Sequence, residues 1–291
     1  RNGVKKMSGE LVGELPTVLF LPSDLALFTG PPQDRRRFLD RILCQLSADF
    51  ARALAEYQRI LKQRNALLSR MATGAPSGDE LTVWDVALAR EGSAIVLARL
   101  ELLETFQLTL PHELQTFGES FDDVRLVYER KGEARERGEL AEELRTLLTE
   151  HRDRDILLEA TTVGPHRDDW KILVDGRELS SFASRGQQRA CVLALLFLQV
   201  SYMELRRGEK PVILLDDVLS EFDQIHRGGV LEALKDHQVL LTALEPPAGL
   251  ERARVWHVDE LKRGGALSVV GERRTPPTRA HRQRHQASER R

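Results

Sequence analysis

Apolar residues in the first half of the chain recur at helical spacing, as Phe50, Tyr57 and Leu61 do. This spacing places them on one face of an amphipathic helix. Turn-forming residues at 71–79 interrupt the pattern, which then resumes. Because two helices joined by a short turn pack antiparallel, residues 48–110 are predicted to form a helical hairpin.

Short apolar runs elsewhere in the chain predict β-strands. They lie at Thr17–Phe20, Val124–Glu129, Ile156–Val163, Trp170–Val174, Gln238–Thr242, Val255–Val258 and Leu267–Val270. The segment Gly164–Asp169 alone separates Ile156–Val163 from Trp170–Val174. We therefore expect these two strands to pair as a hairpin.

Four large apolar residues, Val212–Leu215, stand immediately before two carboxylates, Asp216 and Asp217. A continuous apolar run is typical of a strand buried on both faces of a parallel sheet. Ligands of open α/β sheets bind at the carboxyl ends of the strands, where these two acids fall. The acids therefore suit a Mg²⁺ ligand and a group that orients or deprotonates an attacking water. An Asp-rich turn after an ordinary core strand would have the same local sequence.

A polar turn that contains glycine, Ser184–Arg189, opens the helix that leads into this strand. The helix is apolar nearly all round from Ala190 to about Met203, which predicts that it is buried. Its N-terminus would offer free backbone N–H groups and the positive end of the helix dipole, and Gly186 would let an anion approach closely. The alternative is that Ser184 simply caps the helix.

Three consecutive arginines, Arg35, Arg36 and Arg37, follow a Gly-Pro-Pro break and precede an apolar helical stripe. The pattern predicts a helix that begins with Asp34 as its N-cap. The arginines suit a nucleic-acid phosphate, but a solvated first turn has the same composition and is the commoner meaning of a charge run.

Composition changes this picture chiefly at the C-terminus. The net charge of −2 and the hydrophobic content of 41% are ordinary for a globular chain with its own core. Residues 271–291 hold seven Arg and two Glu, which predicts a disordered basic tail. Such a tail would add salt-dependent affinity for nucleic acid, aid solubility, or be incidental.

The two cysteines, Cys44 and Cys191, lie far apart in helical segments, which favours reduced thiols and a cytoplasmic protein over a disulfide framework. No apolar run approaches the ~20 residues that span a bilayer, so no membrane partner is expected. The chain starts at Arg1, and Asn2-Gly3 is typical of the middle of a hairpin turn. We therefore expect an N-terminally incomplete sequence.

Several motifs together resemble a known class of proteins. Ser184–Arg189 resembles the signature motif of ABC-type ATPases, Val212–Asp217 their Walker B strand, and Ser220–Asp223 the D-loop that follows it. Within that superfamily the chain is similar to the RecF family of bacterial recombination and repair proteins, which is related to SMC-type heads. The residues that carry this closer resemblance are Gly30-Pro31, Arg35–Asp40, Leu61–Asn65, Gly164–Asp169 and Phe182–Arg189.

The resemblance implies an α/β fold, the P-loop NTPase sheet of an ABC-type ATPase head with an inserted α-helical lobe. It assigns residues 1–33 to the head, residues 34–155 to the helical lobe with its short hairpin, and residues 156–270 to the head again. The basic tail, 271–291, follows.

In ATPases of this class, ATP lies between two heads. The residues that by resemblance would face the γ-phosphate held by the other subunit are Ser184, Arg185, Gly186 and Gln187. Asp216 would take the Mg²⁺ position, and Asp217 would take that of the general base. Ser220 and Asp223 would lie at the interface of an ATP-dependent homodimer.

The resemblance also implies a function in recombinational repair and replication restart. The protein would bind double-stranded and single-stranded or gapped DNA, promote recombinase loading, and act with RecR and RecO. The helical hairpin would embrace duplex DNA, and Arg35, Arg36 and Arg37 are candidate contacts to its phosphates.

The sequence departs from the class in three places, the smallest of which is Phe222 where the D-loop usually has Leu. It contains no G-x-x-x-x-G-K-[ST] loop to cradle phosphates, so these residues alone are expected to show little ATP affinity and no turnover. Thr242 stands where transporter ATPases have a switch His, and the resemblance gives it no catalytic role. Two alternatives follow: an ABC-type ATPase of another machine such as a transporter, or a non-catalytic DNA-binding scaffold.

Overall fold

The computed structural model describes residues 14–74, 78–222, 224–245 and 253–256. The strands are β1 (Thr17–Phe20), β2 (Val124–Glu129), β3 (Asp169–Val174), β4 (Arg177–Glu178), β5 (Val212–Asp216) and β6 (Val239–Thr242). The helices are α1 (Pro32–Leu46), α2 (Ala48–Ala72), α3 (Gly78–Thr116), α4 (Arg137–Glu150), α5 (Arg152–Leu157), α6 (Leu179–Phe182), α7 (Arg185–Arg207) and α8 (Gln224–Ala233). Short 3₁₀ turns follow β1 and β5.

The chain separates into two units, residues 1–242 and residues 243–291. In the second unit, the described side chains of Leu244 and Trp256 are exposed. The predicted strands at 255–258 and 267–270 lie mostly or wholly outside the described residues, as does the predicted tail.

Strands β1, β5 and β6 form a parallel sheet with β5 in the centre. One face packs on the core through Val18, Phe20, Ile213 and Leu215. On the other face, Leu19, Leu214 and Leu240 lie in register across the three strands. Leu19 is 39% exposed and Leu240 is 47% exposed, so this apolar stripe is open to solvent. The expectation that β5 is buried on both faces is therefore wrong, because none of the described elements covers the second face.

The predicted helical hairpin is confirmed. Helices α2 and α3 run antiparallel, since Tyr57 lies beside Gly92 while Arg64, one to two turns further along α2, pairs with Asp85, further back along α3. Arg64 is fully buried and also donates to Asp155 Oδ2 at 2.7 Å, which ties the hairpin to α5.

Helix α7 runs through the core, as its apolar pattern predicts. Its residues from Ala190 to Val200 are buried, and Phe197 packs on Phe117, which directly follows α3, with ring centroids 5.2 Å apart. Gly208 ends the helix in the left-handed region, at φ 70°, which lets the chain turn into β5.

A second sheet is antiparallel and has the order β2-β3-β4. The predicted hairpin between Ile156–Val163 and Trp170–Val174 is wrong, because residues 152–157 are helical and β3 pairs with β2 instead. The reason is tertiary: Asp155 is buried and accepts from Arg64, while its Oδ1 accepts from Thr162, and these polar contacts fix the segment against α2.

The outer edge of β2 is occupied by a side chain. The Gln107 amide of α3 donates to Val124 O at 2.8 Å and accepts from Leu126 N at 2.6 Å. Those are the two bonds that a neighbouring strand would make.

Helix α1 begins three residues earlier than predicted. Pro31 is its N-cap residue and Pro32 its first residue, because the fixed φ of proline suits the first helical position. Asp34 lies within the first turn and is not the N-cap. Among the described residues, none of the helices has both the length and the apolar character that a membrane span requires.

Candidate functional site

Asp216 and Thr242 lie side by side at the carboxyl edge of the parallel sheet. They are register partners on β5 and β6, and the Thr242 hydroxyl donates to Asp216 Oδ1 at 2.6 Å. Both side chains are exposed and point to the face that carries the open apolar stripe, because residues two apart on a strand share a face. The stripe therefore leads directly to a carboxylate.

Asp217 follows in a left-handed backbone conformation, with φ 50° and ψ 20°. Its N–H is shared between two acceptors of Thr242, the hydroxyl at 2.9 Å and the carbonyl at 3.1 Å. A left-handed aspartate is uncommon, and such residues concentrate at functional sites. Sequence reasoning placed two acids at this edge but not this backbone geometry.

The turn after Asp217 is held from two directions. Ser220 Oγ donates to Asp217 O at 2.7 Å. From α8, Arg227 donates to Leu219 O at 3.2 Å and to Phe222 O at 3.0 Å. Asp223, predicted at a dimer interface with Ser220, lies outside the described residues.

Ser184 caps α7 in a reciprocal arrangement with Gln187. Ser184 Oγ accepts from Gln187 N at 3.2 Å, and Gln187 Oε1 accepts from Ser184 N at 3.0 Å, which is a capping box. Arg185 and Gly186 are exposed at the same end. Among the residues that the structure describes, a Cβ on Gly186 would meet only Ser184 Oγ, at 3.8 Å.

The structure brings Asp216 and Asp217 together but does not join them to the turn at the start of α7. In the part of the chain that the structure describes, no hydrogen bond connects Ser184 or Gln187 with either aspartate. Gln187 instead donates to Glu119 at 3.4 Å.

The three arginines of α1 have different environments. Arg35 forms a two-bond ion pair with Asp169 and also donates to the carbonyls of Leu27 and Gly30. Arg36 donates to Asp168 O at 2.6 Å.

Arg37, by contrast, is 64% exposed, and its one polar contact among the described residues is with Asp34, at 3.4 Å. Arg35 and Arg36 are therefore bound to the chain itself, and Arg37 faces solvent.

The segment 164–169 has structural contacts on every side. Pro165 O accepts from Arg99 at 2.8 Å, and His166 Nδ1 lies 2.6 Å from the Tyr57 hydroxyl. Gly164 has φ 117°, and a Cβ there would lie 2.7 Å from the same hydroxyl, so only glycine fits. With Asp168, which accepts from Arg36 of α1 and Tyr128 of β2, this motif therefore contacts α1, α2, α3 and β2.

Asp216 fits Mg²⁺ as a single carboxylate ligand. Mg²⁺ usually binds one or two carboxylates and completes its shell with water and substrate phosphate. Thr242 occupies Oδ1 of Asp216, and Oδ2 has no hydrogen-bond partner among the described residues. The described residues contain no group of three or more His, Cys, Asp or Glu side chains that could hold a metal ion.

The contacts that Thr242 and Arg227 make are the part of this site that sequence reasoning missed. The available signal for Thr242 was its place at the end of a predicted strand, since neighbouring parallel strands end at the same sheet edge. Arg227 carried no signal, because its role depends on where α8 packs.

A parallel sheet with two acids at its carboxyl edge, preceded by a buried helix that starts in a glycine-containing turn, defines the head of an ABC-type ATPase. No protein-family model matches the chain. The DNA replication and repair protein RecF of Herpetosiphon aurantiacus is 38% identical over 266 residues, which cover 89% of this chain and 68% of that protein. RecF of Chloroflexus aurantiacus is 41% identical over 81% of this chain and 62% of its own length. The chain belongs to the RecF family and spans about two thirds of the length of these relatives.

Solved structures give the same relationship. The recombination mediator protein RecF with ATP, of the RecFOR pathway, has a TM-score of 0.76 and 30% identity, over 84% of this chain and 66% of that one. RecF with ATPrS has a TM-score of 0.74.

Proposed function

We propose that this chain carries two parts of the ATP site of a RecF-type repair protein: the Mg²⁺-binding and water-activating acids, and the turn that contacts the γ-phosphate in a second head. The observation that carries the proposal is the geometry of Asp216 and Asp217, adjacent at the carboxyl edge of a parallel sheet and both bonded to Thr242. A solved relative described as RecF with ATP supports the choice of nucleotide.

In this proposal Asp216 holds Mg²⁺ directly or through water, and the ion supplies charge stabilisation for the transferred phosphoryl group. Asp217 orients the attacking water and accepts its proton. Its left-handed backbone departs from the conformation of the strand that carries Asp216, so the two adjacent acids are given different roles in this proposal.

The lengths of α7 and β5 support a site shared between two heads. Helix α7 has 23 residues, about 34 Å, and β5 has five, about 16 Å. The helix is therefore about twice as long as the strand that follows it. In a dimer, one γ-phosphate would contact the acids of one head and the start of α7 of the other.

Gly186 supports the same proposal. Glycine within a helix is about 1 kcal/mol less favourable than alanine. Its φ is not positive, and no described neighbour is close enough to exclude a Cβ. The intramolecular structure therefore does not require glycine there, whereas a phosphate or a second head approaching the turn would.

The open stripe of Leu19, Leu214 and Leu240 fits this scheme, because parallel sheets are normally covered on both faces. We propose that a phosphate-cradling segment, which these 291 residues do not contain, would pack on that face beside Asp216.

The wider proposal is that the chain shares the DNA replication and repair function for which its relatives are named. It would work in the cytoplasm, bind double-stranded and gapped DNA, and act with RecR and RecO as partners. Residues 34–155 would form the lobe that meets DNA, and Arg37 with Arg41, one turn later, is its exposed arginine pair on α1. The lobe boundaries and the homodimer through Ser220 and Asp223 are part of the same proposal.

The test uses protein expressed from its complete gene. Asp217→Asn should lower ATP turnover about 100-fold or more, since a positioned base contributes that much, while ATP binding persists. Asp175→Asn is the matched control, because Asp175 also has φ 50° but lies in a turn of the antiparallel sheet. The purified 291-residue chain should show no turnover. Wild-type turnover by Asp217→Asn would show that Asp217 is not the base.

A further inference from the structure

The Thr242 hydroxyl lies between the two acids and contacts both. It is 2.9 Å from Asp217 N and 2.6 Å from Asp216 Oδ1. Because a backbone N–H can only donate, the hydroxyl oxygen accepts that bond. Its single proton is then free to donate to Asp216. The direction of both bonds is therefore fixed by chemistry, and Asp216 Oδ1 must be an acceptor.

This bond gives the two oxygens of the Asp216 carboxylate different roles. Oδ1 is held by Thr242, while Oδ2 has no hydrogen-bond partner among the described residues. A carboxylate held at one oxygen keeps the other in a fixed direction, which suits one-oxygen binding of a hard cation or of its bound water.

The same hydroxyl fixes Asp217. The left-handed conformation at φ 50° is disfavoured for a residue with a Cβ, so surrounding contacts must hold it. Both acceptors for the Asp217 N–H belong to Thr242. Losing the hydroxyl would leave the carbonyl at 3.1 Å as the remaining contact.

We propose that Thr242 is a positioning residue. Its hydroxyl sets the direction of both acids, and Thr242 therefore acts on the ATP site through Asp216 and Asp217. The inference rests on the proposed function only for the identity of the metal. The two hydrogen bonds of the Thr242 hydroxyl belong to the chain itself and need no ligand.

Two substitutions isolate the hydroxyl. Thr242→Val keeps the shape and removes both bonds, and Thr242→Ser keeps both bonds. Because Thr242 is exposed, neither variant should alter the thermal unfolding midpoint appreciably.

The first measurement is amide hydrogen exchange at Asp217 without nucleotide, in protein from the complete gene. Exchange should be faster in Thr242→Val and unchanged in Thr242→Ser. The second is Mn²⁺ affinity by electron paramagnetic resonance with a non-hydrolysable ATP analogue. Thr242→Val should weaken it about tenfold, as losses of outer-shell partners do, and Thr242→Ser should match the wild type.

Asp216→Asn separates the two possible failures. If Asp216→Asn loses Mn²⁺ while Thr242→Val retains wild-type affinity and exchange, the inference is overturned and the proposed function stands. If Asp216→Asn itself binds Mn²⁺ normally, the metal assignment of the proposed function is overturned. Amide exchange at Asp217 in Thr242→Val then still tests whether the Thr242 hydroxyl positions Asp217.

Discussion

Arg35 and Asp169 form a two-bond ion pair, with Nε 2.8 Å from Oδ1 and Nη2 2.7 Å from Oδ2. The pair joins the first turn of α1 to the start of β3, and Asp169 raises the pKa of Arg35 further through this hydrogen bond. The Arg35 carbonyl also accepts from the indole of the buried Trp170 at 2.7 Å. An arginine that looked like a phosphate contact in the sequence is thus a joint between two elements.

Arg35→Ala should therefore destabilise the fold, by about 3 kcal/mol, because it leaves a largely buried carboxylate without its partner. Arg35→Lys should recover only part of this loss, since an ammonium cannot make two parallel bonds. Chemical denaturation measures both.

Arg37→Ala is the matched control from the same turn and should change stability by no more than about 0.5 kcal/mol. In the complete protein, Arg37→Ala should reduce the salt dependence of DNA binding. A large loss of stability in Arg37→Ala, or none in Arg35→Ala, would contradict the assignment of the two arginines.

Gly186→Arg should abolish ATP-dependent dimerisation while leaving the isolated fold intact. The position is exposed and, among the described residues, a Cβ there meets only Ser184 Oγ, at 3.8 Å, so the chain itself leaves room for a long side chain that would enter the space proposed for the second head. Light scattering with and without ATP measures the effect. Gly138→Arg, at an exposed position in the first turn of α4 where a Cβ has no described neighbour within 4 Å, is the control. ATP-dependent dimers of Gly186→Arg would refute the two-head arrangement.

The titrations of Asp168 and His166 should change the free energy of unfolding in opposite directions as pH falls. Burial raises the pKa of Asp168 to about 6, against the opposing influence of Tyr128 and of Arg99, Arg130 and Arg36. Burial also lowers the pKa of His166 to about 4. The neutral imidazole donates from Nε2 to Thr161 O and accepts at Nδ1 from Tyr57.

The signs follow from which state binds the proton. Between the ordinary pKa of 6.5 and the folded value of about 4, the unfolded His166 takes a proton that the folded one refuses, so stability falls as pH falls. Between 3.8 and about 6, folded Asp168 binds the proton more tightly, so stability rises as pH falls. The two contributions largely cancel in the wild type.

Asp168→Asn should expose the histidine contribution alone. Its free energy of unfolding should drop by up to about 1.4 kcal/mol per pH unit as pH falls through that window. His166→Gln should show the opposite slope. Urea denaturation across this pH window measures both slopes. If the wild type and the two variants showed parallel profiles, the two contributions would not be opposed as described.

Local patterns were sufficient for the elements of this fold that bury their own side chains. The apolar run of β5, the hairpin of α2 and α3 and the buried α7 follow directly from residue spacing. Ile156–Val163 was mispredicted because its conformation depends on the ion pair between Asp155 and Arg64, residues distant in sequence.

The same limit applies to the site. Asp216 and Asp217 could be predicted because a strand and its terminal acids are contiguous. The contacts of Thr242 with both acids could not, because the register between β5 and β6 is set by packing, which decides that residue 242 and not a neighbour faces Asp216.

Gln107 gives sheet β2-β3-β4 a property that concerns other molecules. An unprotected outer strand is a template on which a foreign chain can add a further strand. Here the two groups of Val124 and Leu126 that would start such pairing are already occupied by one amide. Gln107→Ala would leave these two backbone groups open to another chain. We therefore expect the variant to form more intermolecular β-structure than the wild type.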